Sequence, residues 1–250
     1  MLFRNEGIVL RSIEYSDADK IVTIYTKNYG KIQAIAKGVR KTKSKFGSSL
    51  EILTDAIFLF YRGKNIDIIS QTEILESFFS TCKEVRRFAF ASNCAEIVNK
   101  LTEEGDTNVA LFTLLKNTLH YLKEAKDPQL INLAFKWKAI TNLGYRPLFS
   151  FYNYSKENNL IGNQKISKYF SIKDGGIVTN ESPEIDSAEY LPVSDYFINL
   201  VKKIIITPLS KITPYAIPVK RRKELDKITE TYLLYHFNKI FKTRSFLEFL

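Results

Sequence analysis

Between Lys27 and Phe46 the chain carries Lys27, Lys31, Lys37, Arg40, Lys41, Lys43 and Lys45 and no acidic side chain. The chemistry open to such a run is electrostatic. Each cation that neutralises a phosphate releases condensed counterions, so a polyanionic backbone is held without its sequence being read. The bland reading of any charge run is a solvated loop, and context has to decide between the two. A second basic zone lies in residues 202–244. There Lys202, Lys203, Lys211, Lys220, Arg221, Arg222, Lys223, Lys227, Lys239, Lys242 and Arg244 are set against Glu224, Asp226 and Glu230. Most of the excess positive charge sits in these two zones, which together exceed the net charge of +10 for the whole chain. A polyanion touching both, or two such partners, is implied. The run Lys220-Arg221-Arg222-Lys223 opens a helix, where cations oppose the positive end of the macrodipole. An anionic partner would account for them, and so would a solvated helix end.

Other chemistry is hard to find. There is no P-loop, dinucleotide glycine fingerprint, zinc-hydrolase helix or serine-nucleophile elbow. Asp17 with Asp19, and Glu103 with Glu104, sit in turn-like or helix-end contexts and make weak candidates for a metal-dependent nuclease pair. Cys82 and Cys94, with His120 and His236 far away in sequence, form no readable ligand cluster. They are expected as buried thiols of a reducing, cytoplasmic setting. No apolar run approaches a membrane span. The expectations are no enzyme, no catalytic residue, no metal and no cofactor.

The elements that must position the cations follow from periodicity. Glu6–Ile13, Lys20–Tyr25, Lys31–Ala36, Leu53–Tyr61 and Ile66–Glu76 are rich in β-branched and aromatic residues and are separated by turn signals. Five short strands in about 75 residues suggest a small barrel of the OB type, and an SH3-like barrel has the same strand count. Lys31 and Lys37 then lie along the third strand, with Arg40, Lys41, Lys43 and Lys45 on the loop that follows. Tyr29 and Phe46 flank the patch, ready to stack on bases or, for Phe46 equally, to pack in the core. Beyond residue 80 the period becomes helical. One helix capped by Ser80 or Thr81 runs through Val98, and others are predicted over Val109–Leu122, Pro128–Leu143, Ser194–Ile206 and Lys223–Phe241. Residues 153–187 are polar and read as an irregular excursion. The fold class is α+β: a five-stranded OB-type barrel over residues 1–79, packed on a mostly helical domain over residues 80–250 that includes an irregular loop at 148–187.

Taken in order, these motifs resemble one family. The run Gly7-Ile8-Val9-Leu10-Arg11-Ser12 leads to Tyr15-Ser16-Asp17-Ala18-Asp19-Lys20-Ile21-Val22. Then come Tyr25-Thr26, Gly30-Lys31, Ala36-Lys37-Gly38-Val39-Arg40-Lys41 and Leu50-Glu51-Ile52-Leu53. Leu143-Gly144-Tyr145-Arg146-Pro147, Phe170-Ser171, Gly175-Gly176 and Thr243-Arg244-Ser245 with Leu247 complete the series. The whole is similar to RecO, the bacterial recombination mediator. Many members carry a four-cysteine zinc site in the excursion. Here Tyr152 and Ser155 stand at the first pair of positions and Thr179 and Ser182 at the second, so no thiolate is available. The chain is expected to lack zinc, with Tyr152, Tyr169 and Phe170 filling the space.

The resemblance implies a DNA-binding mediator that holds single- and double-stranded DNA through the barrel and anneals complementary strands. It also implies binding of the tail of the single-strand-binding protein and, together with RecR (in some bacteria with RecF), loading of RecA. On that reading DNA is held by Lys31, Lys37, Arg40, Lys41, Lys43 and Lys45, with Lys220, Arg221 and Arg222 as a second surface. The protein would work at the nucleoid in the cytoplasm. An apolar pocket rimmed by cations would suit the tail, with Phe135-Lys136-Trp137-Lys138 and Lys202-Lys203 as candidates, although Trp137 reads as well as a core residue. For Arg11 a surface ion pair is the favoured role. Two rival readings remain. An adaptor would use the basic patches on acidic protein tails and barely touch DNA, and a nucleic-acid enzyme would require divalent-dependent cleavage or transfer.

Overall fold

A computed structural model describes residues 1–41, 44–78, 84–149, 168–179, 189–212 and 217–247. The first strand, β1 (Leu2–Glu14), is followed by β2 (Lys20–Thr26), β3 (Gly30–Ala36), β4 (Thr54–Tyr61) and β5 (Asp67–Ser77). They pair in the order β1-β2-β3-β5-β4, and β4 returns to β1 with Leu2 opposite Tyr61, which closes a barrel. All pairs are antiparallel except β3 with β5, which touch in parallel at Ala34–Asp67 and Ile35–Ile68. The expected fold class holds, and the strand ends fall within a few residues of the periodicity. Alternation explains why: on β3, Ile32, Ala34 and Ala36 point inward and are buried, while Lys31 and Gln33 face out; Lys37, expected on this strand, is the first residue beyond it and is exposed. The barrel core is Val9, Val22, Ile24, Ile32, Ala34, Ala36, Phe46, Leu50, Ala56, Phe58, Phe60 and Ile69.

The helices are α1 (Val85–Leu101), α2 (Val109–Leu122), α3 (Pro128–Asn142), α4 (Asp195–Ile206), α5 (Val219–Phe237) and α6 (Lys242–Leu247). Asn108 caps α2 and Ser194 caps α4 through their side chains. The sequence places the last long helix at Lys223–Phe241. It begins instead after Pro218 and ends at Asn238, which takes the left-handed conformation of a C-cap. The basic run is therefore its first turn. Ser80 and Thr81, and with them the expected boundary between residues 79 and 80, lie outside the described residues.

Two compact units emerge, one comprising residues 1–135 and 241–250 and the other residues 136–240. In the first, the barrel is clamped to α2 by charge. Lys116 Nζ lies 2.6 Å from Glu6 Oε1 on β1 and 2.8 Å from Asp55 Oδ2 on β4, and Asp55 is fully buried. Chain from the far end completes this unit. Glu96 on α1 accepts the backbone N–H groups of Lys242 and Thr243 at 2.8 Å each and the Thr243 hydroxyl at 2.6 Å.

The second unit gathers around Trp137, which is fully buried. Its indole meets Phe149, Phe170, Phe197 and Tyr232 at centroid distances of 5.5–6.4 Å. Within the expected irregular excursion two short strands form, which the periodicity did not indicate. β6 (Lys168–Ser171), β7 (Ile177–Thr179) and β8 (Tyr190–Pro192) form a sheet in the order β7-β6-β8. The β6–β7 turn is tight. A Cβ on Gly175 would stand 2.9 Å from the Tyr232 hydroxyl and 3.0 Å from Pro147 Cα, and its φ of +65° already favours glycine. Phe170 fills space as expected, but with Trp137 and Phe197, while Tyr152 lies outside the described residues.

Candidate nucleic-acid interface

The basic loop leaves β3 at Ala36 and is tied to the β1–β2 turn. Asp19 Oδ1 accepts the Gly38 N–H at 2.9 Å, and the Ala18 carbonyl accepts the Arg40 N–H at 3.1 Å. This gives the motifs around Asp19 and Gly38 a common cause: one turn holds the other. From this base Lys37, Arg40, Lys41 and Lys45 are exposed. Arg40 lies 3.4 Å from Glu14 in an exposed ion pair, an interaction worth roughly 0–1 kcal/mol and easily exchanged for a phosphate. Lys43 lies outside the described residues. Phe46 is buried in the barrel core, so of its two expected roles it takes packing.

Lys31 is placed differently from its neighbours. Its ammonium donates to the carbonyl of Asn99 at 2.7 Å and to that of Thr102, at the C-terminal end of α1. A cation there satisfies orphan carbonyls and suits the negative end of the macrodipole. Tyr29 sits at the start of β3, the opposite end from the loop, half-exposed and with its ring 5.0 Å from that of Phe3. It does not border the basic loop. Arg11 is exposed and makes no ion pair with a described residue.

On α5, Arg221 is exposed and lies 3.3 Å from Glu224, with Tyr196 beside it at 6.0 Å. Arg222 is half-buried, and Lys220 lies in the same first turn, which contains no acid. Nothing neutralises the positive end of this helix from within its own first turn. Burial raises the Tyr196 hydroxyl above its ordinary range, against the pull of Arg222 and Arg221.

The second unit also carries an apolar groove of about 420 Å³ lined by Arg146, Pro147, Leu148, Phe149, Lys202, Ile205 and Ile206. Phe149 adopts φ +47°, rare for an aromatic residue. The reversal buries its ring and leaves Leu148 65% exposed, opposite Ile206 at 73%. Arg146 and Lys202 stand on the rim, exposed. Of the residues expected to make such a pocket, Lys202 lines it. Lys136 instead turns inward to Glu230 at 2.6 Å, Trp137 is core, and Lys138 donates to the Ile205 carbonyl at 3.1 Å. Burial lowers the Lys138 pKa. The residues missed were Arg146, Leu148 and Ile206; the signal was two large apolar side chains placed beside cations, but on segments far apart in sequence.

The donor set at the positions of a zinc site does not suit the metal. Thr179, on β7, offers a hydroxyl, and Tyr152, Ser155 and Ser182 lie outside the described residues but supply no thiolate or imidazole. Among the described residues no group of three or more His, Cys, Asp or Glu is placed to hold a metal ion. Among them, too, no helix is long and apolar enough to cross a membrane.

The comparisons with known proteins bear on the whole length. Residues 1–78 match the family model described as recombination protein O N terminal, and residues 82–245 match recombination protein O C terminal. The DNA repair protein RecO of Bacillus mycoides (strain KBAB4) is 30% identical over 249 residues, covering 99% of this chain and 97% of that protein. That of Alkaliphilus metalliredigens (strain QYMF) is 30% identical over 242 residues, 96% of each. That of Bacillus cereus (strain AH187) is 31% identical over 253 residues, covering 99% of this chain and 97% of the other. With both family halves present in order and relatives matched almost end to end, the chain belongs to the RecO family of DNA repair and recombination proteins.

Proposed function

We propose that the chain is a non-enzymatic recombination mediator that binds single- and double-stranded DNA and anneals complementary strands. With RecR it would help to load RecA on DNA covered by single-strand-binding protein, at the nucleoid in the cytoplasm. The observation that carries this reading is the loop after β3. Its backbone is pinned by Asp19 and Ala18, and it presents Lys37, Arg40, Lys41 and Lys45 outward. Exposed cations suit a phosphate backbone, which needs charge and no sequence. The groove at Leu148 and Ile206 supports a protein contact as well. Its apolar floor and Arg146–Lys202 rim suit the acidic, hydrophobic tail of the single-strand-binding protein.

Annealing of complementary oligonucleotides, at two salt concentrations and without nucleotide, tests the proposal. The wild type is expected to anneal, and Arg40→Glu/Lys41→Glu/Lys45→Glu is expected neither to bind nor to anneal while keeping its thermal transition. Equal binding by both would exclude the loop as the DNA site and favour the adaptor that uses its patches on protein tails. Divalent-dependent cleavage would overturn the non-enzymatic reading.

A further inference from the structure

At the start of β3, away from the basic loop, a polar cleft of about 470 Å³ opens between β3, the β4–β5 turn and the segment after α1. Its walls are rigid. Phe60, Phe3 and Arg62 form a ladder, with the two rings stacked at 5.0 Å and the guanidinium carbon 4.5 Å from the Phe3 ring. Asp67, itself buried, fixes Arg62 at 3.2 Å and accepts the Gly63 N–H at 3.2 Å. A Cβ on Gly63 would lie 1.9 Å from the Ile66 carbonyl oxygen, so the turn closes in this form only with glycine. On the other side the Gly105 N–H donates to the Lys31 carbonyl at 3.0 Å, which holds Glu104 at the cleft. Tyr29 and Gln33 are exposed beside it, and Lys64 at the turn tip.

This is an unusual mixture for a phosphate site. Lys31 spends its charge on α1, and Glu104 repels a phosphodiester. The remaining groups suit a base: a tyrosine ring and a guanidinium plane to stack on, and Gln33 and Glu104 to meet base edges, Glu104 as an acceptor for an exocyclic amino group. Lys64, exposed at the turn tip, suits a flanking phosphate. We infer that this cleft is a subsite for one unpaired nucleobase of single-stranded DNA, stacked on Tyr29 and Arg62. A base within a duplex has its Watson–Crick edge paired and its faces stacked, so it cannot enter and stack in the cleft. The two ends of β3 then divide the work: the loop holds backbone of any kind, and the cleft selects a single strand. From Lys31 on β3 to Lys37 just beyond it the extended chain covers about 20 Å, which is roughly six stacked nucleotides at 3.4 Å each. That lies within the site size of one OB barrel.

The inference rests on the DNA-binding reading and is tested so that the two fail separately. The full-length Tyr29→Trp variant is titrated with three 12-nucleotide probes: (dC)12, an abasic strand of equal length, and a duplex. Binding is followed by anisotropy, and emission from the introduced tryptophan is recorded against the buried Trp137 background. The expected result is binding of all three, with quenching by (dC)12 alone. Tyr29→Ala should then weaken (dC)12 roughly tenfold and leave the abasic strand and the duplex unchanged. Binding with no quenching by (dC)12, or equal quenching by the abasic strand, overturns the base subsite and leaves the DNA reading in place. No binding of any probe overturns both.

Discussion

Lys31, on β3, and Lys37, the first residue beyond it, are six positions apart and have opposite fates. Lys31→Ala is expected to lower stability by about 2 kcal/mol through the unsatisfied carbonyls of Asn99 and Thr102. The salt dependence of DNA binding should not change. Lys37→Ala should do the reverse, and urea denaturation beside salt titration separates them. Asp55 is the second decisive residue. Burial raises its pKa against the hydrogen bond and charge of Lys116. Glu6 is lowered, because Lys116 and Lys27 outweigh the effect of its burial. Lys116→Met would strand a buried carboxylate and cost about 3 kcal/mol, the lower end for such a loss since Lys116 is partly exposed. Lys116→Met/Asp55→Asn should recover much of it, as thermal melts would show. The pH dependence follows from signs. Glu6 and Glu96 have lowered pKa values, so their contribution is complete above the unfolded value of 4.5 and is lost as pH falls through the lower folded value. His236, lowered by burial despite its bond to the Ile172 carbonyl, loses stability as pH falls below 6.5. Asp55 opposes these, since acid relieves its buried charge. Denaturation midpoints from pH 7 to 3 should therefore fall in two stages. Glu96→Gln should flatten the stage below 4.5.

At the scale of the element, the turn carrying Asp19 is the support of the basic loop. Two substitutions there make opposed predictions. Asp19→Asn keeps an acceptor for the Gly38 N–H and removes a negative charge, so DNA affinity should rise. Asp19→Ala removes the same charge but also the bond, worth about 1 kcal/mol. If loop order matters, affinity falls despite the added net charge, and anisotropy gives the sign. Much of this element was legible, because five strands with period 2 and turns at Asp17 and Asn65 leave few alternatives. The starts of α2 and α4 fall within a residue of the expected Val109 and Ser194, although their caps, Asn108 and Ser194, were not among the expectations. The capture of Lys31 was not legible, since its carbonyl partners lie about 70 positions away and carry no side-chain signature. The β6–β7 hairpin escaped because strands of three or four residues are shorter than any periodicity can register. The groove escaped because Leu148 and Ile206 mean nothing until brought together.

Over the whole molecule, the net charge of +10 bears on the proposed binding of DNA. If Lys37, Arg40, Lys41 and Lys45 each neutralise one phosphate of a single strand, log affinity should fall with log salt at a slope of roughly −3. A steeper slope, relaxed by Arg221→Glu/Arg222→Glu, would assign the first turn of α5 to the same DNA. An unchanged slope in that variant would leave the turn solvated. The chain path has a different consequence. Residues 241–247 return to α1, where Thr243 rests on Glu96 and on Asn93, so the unit that contains the barrel is interrupted by residues 136–240. A ribosome adding about 5–20 residues per second takes roughly 5–20 s to make that interruption. During that time the barrel can form, but the end of α1 that holds Thr243 waits uncovered. A nascent chain arrested before residue 241 should expose Glu96 and Lys100 to proteolysis near α1, and release of the full chain should remove that cleavage. Translation speed through the second unit would thus set how long the first stays incomplete.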